Sequence, residues 1–411
     1  MESLLLTATM AKAAAILVLG LLVFAVGKSP VFRMDRAGAA IVGAALMIGL
    51  GVLTIDQAAK AVDVRTIVVL FAMMIVTSSL KTAGFFHVVG AFLTKRLATR
   101  RGLLLAVILA GGLLSAFFIN DIVCLMFTPV VLMICHRWRL RPVPYLIGLA
   151  TASNIGSAGT LIGNPQNILI GSLSGISFAR YMLVAFPLAL LGLAADFLAV
   201  YWVFRPELSG PLPEAAEVPA ARHPFLIKKN VAVVILILAG FLLGFEAAIV
   251  AALGAAALLV TRRVKPEKIY AGIDFNLLVI FVGLFVIIGG VEESGLMGWL
   301  LGRLHAVDFG SFPVFAGATV VLSNLVSNVP AVLLLRFLVP AAAGLKWWAG
   351  MAVFSTLAGN LTLVGSVANL IVVEIARRDG VRVGFVDYFK VGFPLTIALG
   401  LVSLAYFLLL V

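Results

Sequence analysis

Long apolar stretches that are almost free of charge follow one another through this sequence, and they constrain its fold more than any other feature. Hydrophobic residues make up 63% of the 411 residues and charged residues only 12%, against about 25% charged residues in a typical soluble domain. A helix needs about 20 apolar residues to cross a bilayer. We therefore predict an all-α polytopic membrane protein with about ten transmembrane helices and no sizeable soluble domain.

The basic residues predict how the chain is oriented. The 30 Lys and Arg exceed the 18 Asp and Glu, which gives a net charge of +12. Of these 30, 22 fall in six loops on one predicted side, and cytoplasmic loops of membrane proteins are rich in Lys and Arg. We therefore expect a multi-pass protein of the cytoplasmic (inner) membrane, in contact with the lipid bilayer and without a nucleic-acid partner. The six loops are 28–36, 85–101, 136–142, 205–229, 262–274 and 375–390.

Two pairs of apolar stretches are joined too tightly for two separate crossings. The first pair, 102–135, has basic residues on both flanks, and the second pair, 311–345, turns around Asn328. A segment that enters and leaves the membrane on one side is a re-entrant hairpin, which is tolerated where its tip is buried in protein or lines a water-filled cavity. The sequence therefore predicts two re-entrant hairpins in addition to the crossings.

The two halves of the chain repeat a polar pattern at an offset slightly above 200 residues. Residues 160–167 (TLIGNPQN) match 362–369 (TLVGSVAN) in a shared TLxGxxxN motif, and Asn120 of the first hairpin matches Asn328 of the second. The number of intervening membrane elements predicts that the second copy is inverted, and inverted repeats with broken helices are typical of secondary transporters. The predicted organisation is an N-terminal helix (1–36), a first repeat (37–204) with hairpin 102–135 and broken helix 143–174, a cytoplasmic linker (205–229), a linking helix (230–246), and a second repeat (247–411) with hairpin 311–345 and broken helix 348–374.

Four strings of the sequence carry a resemblance to a known group of proteins. They are FFINDIVCLMFTP (117–129), ASNIGSAGTLIGNPQNILI (152–170), SNLVSNVPAVLLL (323–335) and AGNLTLVGSVANLIV (358–372). They resemble the hairpin-tip and broken-helix motifs of the ion transporter superfamily, which includes arsenite permeases, silicon efflux carriers, sodium/proton antiporters, divalent anion:sodium symporters and citrate transporters. The resemblance implies a scaffold domain and a transport domain that work by an elevator-like motion, often in a homodimer.

The hairpin tips bear on which branch of this superfamily is closest. Dicarboxylate carriers usually have Ser-Asn-Thr at each tip, whereas the tips here read Ile119-Asn120-Asp121 and Ser327-Asn328-Val329. An Asn-Asp tip is closer to the arsenite-permease branch.

A site in the middle of the membrane must bind ions with little water, and unwound backbone with small polar side chains can do so. Pro165 lacks an N–H and disfavours helix at Asn164, which predicts a helix break at 163–165. The alternative role of these small residues is close packing between helices. The candidate substrate- and ion-binding residues are Asn120, Asp121, Ser153, Asn154, Thr160, Gly163, Asn164, Asn167, Asn328, Asn360, Thr362, Gly365, Ser366 and Asn369.

Asp121 is the most informative single residue, because an ionisable group at a hairpin tip is costly unless it serves an ion or a proton. It could bind sodium together with Asn120 and Asn164, or carry a proton; capping of the second hairpin arm is the alternative role. Asp196, deep in the stretch 181–204, is a second candidate for proton coupling or for a buried pair. The coupling ion, H⁺ or Na⁺, is expected to be the only cofactor.

These features favour a secondary transporter over an enzyme or a channel. The four histidines lie at or near loops, and the sequence has no HExxH or Walker motif, which disfavours metalloprotease chemistry and ATP-driven transport. The expected function is ion-coupled transport of a small inorganic anion or metalloid oxyanion such as arsenite. Sodium-coupled symport of a di- or tricarboxylate or of sulfate, and sodium/proton antiport, stay open as alternatives.

Overall fold

The computed structural model describes residues 2–29, 31–94, 97–212, 224–303, 308–340 and 344–411. Within these ranges the chain is almost entirely helical and forms no β-strand, which confirms the all-α fold class. Part of the predicted linker, 213–223, and part of the second hairpin, 341–343, lie outside the described residues.

The helices follow one another with short connections, and α18 continues into a 3₁₀ turn at Arg336–Leu338. They are α1 (Glu2–Val26), α2 (Arg36–Gly49), α3 (Ile55–Ala61), α4 (Val64–Ala83), α5 (Phe85–Thr94), α6 (Arg100–Phe117), α7 (Asn120–Arg137), α8 (Val143–Ser157), α9 (Pro165–Ser174), α10 (Phe178–Val203), α11 (Arg205–Leu208), α12 (Pro224–Leu242), α13 (Ala247–Leu259), α14 (Pro266–Tyr270), α15 (Phe275–Glu293), α16 (Leu296–Arg303), α17 (Phe312–Val326), α18 (Asn328–Leu335), α19 (Leu345–Ala358), α20 (Val367–Arg378) and α21 (Phe385–Leu409).

Eight of the described helices are long and apolar enough to cross a membrane, namely α1, α4, α6, α7, α10, α12, α15 and α21. Four shorter apolar helices accompany them, α2, α13, α17 and α18. The chain is therefore a multi-pass membrane protein, as predicted. The arms of the first predicted hairpin are α6 and α7, and those of the second are α17 and α18. Entry and exit of each hairpin on one side of the membrane stay predictions.

Each of the two long segments predicted to be broken is interrupted in the structure. α8 ends at Ser157 and α9 begins at Pro165, a first-turn position where a missing N–H breaks no helical hydrogen bond. Asn164 caps α9 by accepting the Asn167 N–H at 2.9 Å. The second copy has no proline at its interruption, and the Ser366 side chain caps α20.

The helices pack in two groups that contact each other less than they contact themselves. The framework group contains α1, α2, α4, α12, α13 and α15; the hairpin group contains α6 to α10 and α17 to α21. Contacts between the groups include those of α4 with α9, α1 with α17 and α15 with α18. The linking helix was predicted over 230–246, and α12 begins at Pro224.

Within the hairpin group, the backbones of α6 and α8 approach each other very closely. A Cβ atom at Gly156 of α8 would overlap the backbone of Gly112 in α6. Glycine is therefore required at this crossing for steric reasons, and close approach of helices through small residues is a recurring mode of packing in membranes.

We predict that Gly156→Ala lowers the thermal unfolding midpoint of the purified protein, because overpacking of this kind costs about 1–3 kcal/mol. The matched control is Gly317→Ala, since Gly317 lies inside α17 with open space around it. Alanine favours a helix over glycine by about 1 kcal/mol, so the control is expected to be neutral or stabilising. Equal behaviour of the two variants would contradict the close crossing.

Candidate functional site

Asn167 donates hydrogen bonds to backbone carbonyls that are left without a helical partner where the first broken helix is interrupted. Its side-chain Nδ2 donates to the Ser157 carbonyl at 3.2 Å, the Thr160 carbonyl at 2.8 Å and the Tyr181 hydroxyl oxygen at 3.2 Å. The Tyr181 hydroxyl in turn donates to the Ala158 carbonyl at 2.7 Å. Carbonyls at a helix end have no helical partner, so this one amide satisfies backbone that water cannot reach.

Asn369 does the same in the second copy. Its Nδ2 donates to the Gly359 carbonyl at 2.9 Å, the Thr362 carbonyl at 3.3 Å and the Tyr388 hydroxyl oxygen at 2.8 Å. Both asparagines thus bond to the carbonyls ten and seven residues earlier in the chain. The shared TLxGxxxN motif therefore encodes one local structure, built twice.

The two interruptions also bond to each other in a reciprocal way. Asn154 Nδ2 donates to Asn369 Oδ1 at 3.0 Å, and Thr356 Oγ1 donates to Asn167 Oδ1 at 3.5 Å. In the alignment of the two motifs, Asn154 corresponds to Thr356 and Asn167 to Asn369. Each copy therefore reaches across to the other through equivalent positions.

A second pair of contacts repeats this reciprocity. Ser366 Oγ donates to Asn154 Oδ1 at 3.0 Å, and Asn164 Nδ2 donates to Thr356 Oγ1 at 3.1 Å. Asn164 and Ser366 are equivalent positions of the two motifs. Two independent pairs of exchanged contacts are what an approximate two-fold axis between the interrupted segments produces.

Both hairpin tips and both interruptions meet around one cavity of about 80 Å³. The framework group contributes its remaining wall through α1, α2 and α15. The lining residues are Phe24, Arg36, Asn120, Asp121, Pro165, Gln166, Leu277, Ile280, Ser327, Asn328, Val329, Pro330, Gly365, Ser366 and Val367.

Several oxygen atoms at the hairpin tips are left without a hydrogen-bond donor. Asn120 Nδ2 donates to Asn154 Oδ1 at 3.1 Å, and the Asn120 Oδ1 atom that remains is buried and unpartnered among the described residues. Asn328 Oδ1, at the equivalent position, is also buried and without a partner there. The half-buried Asp121 carboxylate lies beside them on the cavity wall. Such oxygens suit a cation or the hydroxyl groups of a ligand.

The two tips are held differently. The Asn120 N–H donates to the Gly163 carbonyl at 2.9 Å, which ties the first tip to the first interruption. Ser327 at the second tip has φ 76° and ψ 158°, a backbone conformation otherwise almost confined to glycine that costs about 1–3 kcal/mol. No hydrogen bond within the described residues ties Ser327, Asn328 or Val329 to the second interruption.

The structure brings some of the predicted site residues to the cavity and places others in the network behind it. Asn120, Asp121, Asn328, Gly365 and Ser366 line the cavity. The remaining predicted residues do not line it. They are Ser153, Asn154, Thr160, Gly163, Asn164, Asn167, Asn360, Thr362 and Asn369.

Asp196 lies away from the cavity in the packed interior of the hairpin group. It is fully buried; Thr151 Oγ1 donates to its Oδ1 at 2.7 Å, and its Oδ2 has no partner among the described residues. Asn360 Nδ2 donates to the Thr151 carbonyl at 3.1 Å, so Asp196 connects to the network of the two interruptions.

Sequence reasoning missed the framework side of the cavity. Arg36 was assigned to the cytoplasmic loop 28–36, and Phe24 was not among the candidates. Asp35 caps α2 by accepting the Gly38 N–H at 2.9 Å. An acidic cap residue directly before Arg36 was therefore the sequence signal that Arg36 begins a helix and does not belong to the loop. Arg336, another embedded cation, is paired with Glu292 at 2.9 Å.

The comparison with known families agrees with this architecture. The model of a family described as citrate transporter matches residues 19–350. The chain belongs to the citrate transporter family. It is therefore a membrane transporter and not an enzyme, and the predicted membership of the ion transporter superfamily is confirmed.

Individual relatives extend the match over most of the chain. The silicon efflux transporter LSI3 of Oryza sativa subsp. japonica is 32% identical to this chain over an alignment of 422 positions. The alignment covers 85% of this chain and 87% of that protein. The putative transporter arsB of Dictyostelium discoideum is 24% identical over an alignment of 488 positions, which covers 90% of this chain and 86% of that protein. The crystal structure of the Alcanivorax borkumensis YdaH transporter has a TM-score of 0.60 at 14% identity, covering 98% and 97% of the two chains. This structural likeness shows a shared fold.

We predict that Asn154→Ala destabilises this transporter strongly. The change removes hydrogen bonds to Asn120, Asn360, Asn369 and Ser366, and each buried polar group left unpaired costs about 1–3 kcal/mol. The unfolding midpoint in detergent is expected to fall by many degrees.

The matched control for this prediction is Asn276→Ala, because Asn276 is an exposed asparagine of α15. That change is expected to leave the unfolding midpoint within the error of the measurement. An Asn154→Ala protein as stable as the control would show that the reciprocal contacts contribute little to folding.

Proposed function

We propose that this chain is an ion-coupled secondary transporter that moves a small inorganic anion or metalloid oxyanion, such as arsenite, through the 80 Å³ cavity. The observation that carries the proposal is the convergence of both hairpin tips and both helix interruptions on this one cavity. Substrate sites of inverted-repeat transporters lie at such broken helices. The similarity to proteins named for silicon efflux and for arsB supports this class of substrate.

The size of the cavity supports a small substrate. A volume of ~80 Å³ corresponds to about five to eight water positions, at roughly 10–15 Å³ for each. A single oxyanion fits in that space, whereas a hydrated tricarboxylate requires the walls to move apart. The N-termini of α9 and α20 meet there, and helix N-termini attract negative charge.

Sodium-coupled symport of citrate, succinate or sulfate is the second candidate, and the family described as citrate transporter favours it. Sodium/proton antiport is the third. A thermal-shift screen with arsenite, antimonite, silicate, sulfate, citrate and succinate, with and without sodium and across pH, distinguishes these functions. Stabilisation by a dicarboxylate only in the presence of sodium would overturn the preferred substrate class.

Asp121 is the proposed coupling carboxylate. An unpaired charge inside a membrane protein is costly, and no hydrogen-bond donor among the described residues reaches the Asp121 carboxylate. It therefore binds a cation or a proton during transport. For sodium, the oxygens at hand are those of Asp121, Asn120 and Asn328, whereas Asn164 Oδ1 already accepts the Asn167 N–H at 2.9 Å.

The two helix groups support an elevator-like mechanism in which the hairpin group moves against the framework group. The cavity lies between the groups, so a displacement of one group would carry the bound substrate across. The basic loops support a location in the cytoplasmic membrane with these loops on the cytoplasmic side. The proposal also includes assembly as a homodimer.

We predict that Asp121→Asn reduces uphill substrate accumulation in proteoliposomes by about 10- to 100-fold, since a charge-assisted contact contributes about 1.5–3 kcal/mol. An amide retains an oxygen for sodium but takes up no proton, so loss of pH dependence with residual sodium dependence identifies sodium as one coupling ion. Asp56→Asn, at an exposed site in α3, is the matched control. Full and still pH-dependent transport by Asp121→Asn would remove Asp121 from the coupling mechanism.

We predict that joining the two groups stops transport. Glu292 of the framework group and Arg336 of the hairpin group form an ion pair of 2.9 Å between α15 and the end of α18. With both replaced by cysteine, a short cleavable thiol cross-linker is expected to abolish transport, and a reductant to restore it.

A cross-link that stays inside one group provides the control for this experiment. Glu374 and Arg378 lie one turn apart on α20 and form an ion pair of 2.9 Å. A cross-linked cysteine pair at these positions is expected to transport normally. Full transport after complete cross-linking of positions 292 and 336 would exclude relative motion of the two groups at that contact.

A further inference from the structure

Arg36 is a cation in the wall of the cavity that the hairpin and interruption motifs do not account for. It is the first residue of α2, and its Nε–H donates to the Phe24 carbonyl at 3.0 Å. Phe24 lies in the last turn of α1, where carbonyls have no helical partner. This bond anchors the guanidinium at the edge of the cavity and leaves its other N–H groups for further contacts.

No carboxylate neutralises Arg36 directly. Within the described residues it forms no ion pair at 4.0 Å or less. Asp121 faces the same cavity and attracts Arg36 across it, while Asp274, the cap of α15, adds a second negative charge that acts on Asp121. The cavity thus separates one anchored cation from a carboxylate that has no partner.

This arrangement relates the two ligands of a coupled transporter by charge. While Asp121 has no cation or proton bound, its negative charge offsets the positive charge of Arg36. An incoming anion then gains little electrostatic attraction from Arg36. Once Asp121 binds a cation or a proton, Arg36 is the uncompensated charge of the cavity, and a guanidinium binds an oxyanion through two parallel N–H groups. The coupling ion and the anion would then be bound together.

We propose that Arg36 binds the transported oxyanion and makes the cavity selective for negatively charged over neutral substrates. This inference rests on the proposed transport function and deepens it by naming the charge of the substrate: within the proposed class it favours oxyanions that are charged at pH 7, such as arsenate, over arsenite and silicate, which are mainly uncharged acids at that pH. Arg36 belongs to the framework group and Asp121 to the hairpin group, so a relative motion of the groups separates the two. Arg36 therefore contributes to anion affinity only while the cavity faces the side of the 28–36 loop.

The test compares charged and neutral probes on the full-length protein in detergent at pH 7. Sulfate, arsenate and citrate are the anionic probes, and silicic acid is the neutral one; affinities are measured by calorimetry. Arg36→Gln is expected to weaken binding of the anion that the wild type prefers by about 10- to 100-fold, the range for a hydrogen bond to a charged group. The affinity for silicic acid is expected to change much less, because no net charge attracts this ligand to the guanidinium. Arg36→Lys is expected to retain part of the anion affinity, because it keeps the charge but loses the planar fork.

Arg33→Gln is the matched control, since Arg33 is an exposed arginine of the same predicted loop and does not line the cavity. Unfolding midpoints of all variants separate a loss of binding from a loss of fold. Equal weakening of charged and neutral probes by Arg36→Gln, or unchanged anion binding, overturns the inference while the proposed transport function stands. Binding of silicic acid but of no anion by the wild type also overturns the inference, while the proposed transport function stands. A wild type that binds none of the probes overturns the proposed substrate class as well.

Discussion

The whole architecture depends on supplying hydrogen-bond partners to backbone that stops being helical inside the membrane. Hydrocarbon offers none, so interrupted helices persist there only when the protein satisfies their free carbonyls. Asn167 and Asn369 do this with one amide group each, by bonding to carbonyls ten and seven residues earlier. Tyr181 and Tyr388 bond to the same amides from neighbouring helices.

Once the interruptions are satisfied, they also hold the two copies together. The exchanged contacts of Asn154 and Thr356 join the copies through side chains whose hydrogen-bond partners are all protein groups. The hairpin tips differ, because Asn120 and Asn328 keep buried oxygens without a donor. Within the described part of the chain, the side-chain oxygens of the asparagines at the interruptions accept hydrogen bonds while those at the tips do not, which supports the proposal that a ligand binds at the tips and would complete their hydrogen bonds.

The sequence was sufficient to predict the helical membrane fold and the repeated motif, because apolar stretches and a recurring TLxGxxxN pattern are local signals. It did not separate residues that line the cavity from residues that support it. Asn164, Asn360 and Asn120 are all asparagines within polar motifs of the predicted site, so the sequence does not distinguish them. Only the packing of the two copies shows which side-chain amide faces open space. Arg36 was missed because a cation at the end of a basic loop looks like part of the orientation signal, whereas the fold turns it towards Asp121.

The first interruption separates two spaces that lie between the helix groups. Pro165 and Gln166 line the polar cavity at the hairpin tips, while Leu161, Ile162 and Ile168 line a second, largely apolar cavity of about 280 Å³ against α4, α12 and α13. Arg65 and Glu246, which form an ion pair of 3.5 Å, line this second cavity. The region of the first interruption therefore has open space on both sides, and in the proposed mechanism a modest displacement of the hairpin group would change which space reaches the substrate. A segment without helical hydrogen bonds to break is suited to that position, because its contacts, including the bond from the Asn120 N–H to the Gly163 carbonyl, lie within the hairpin group and would move with it.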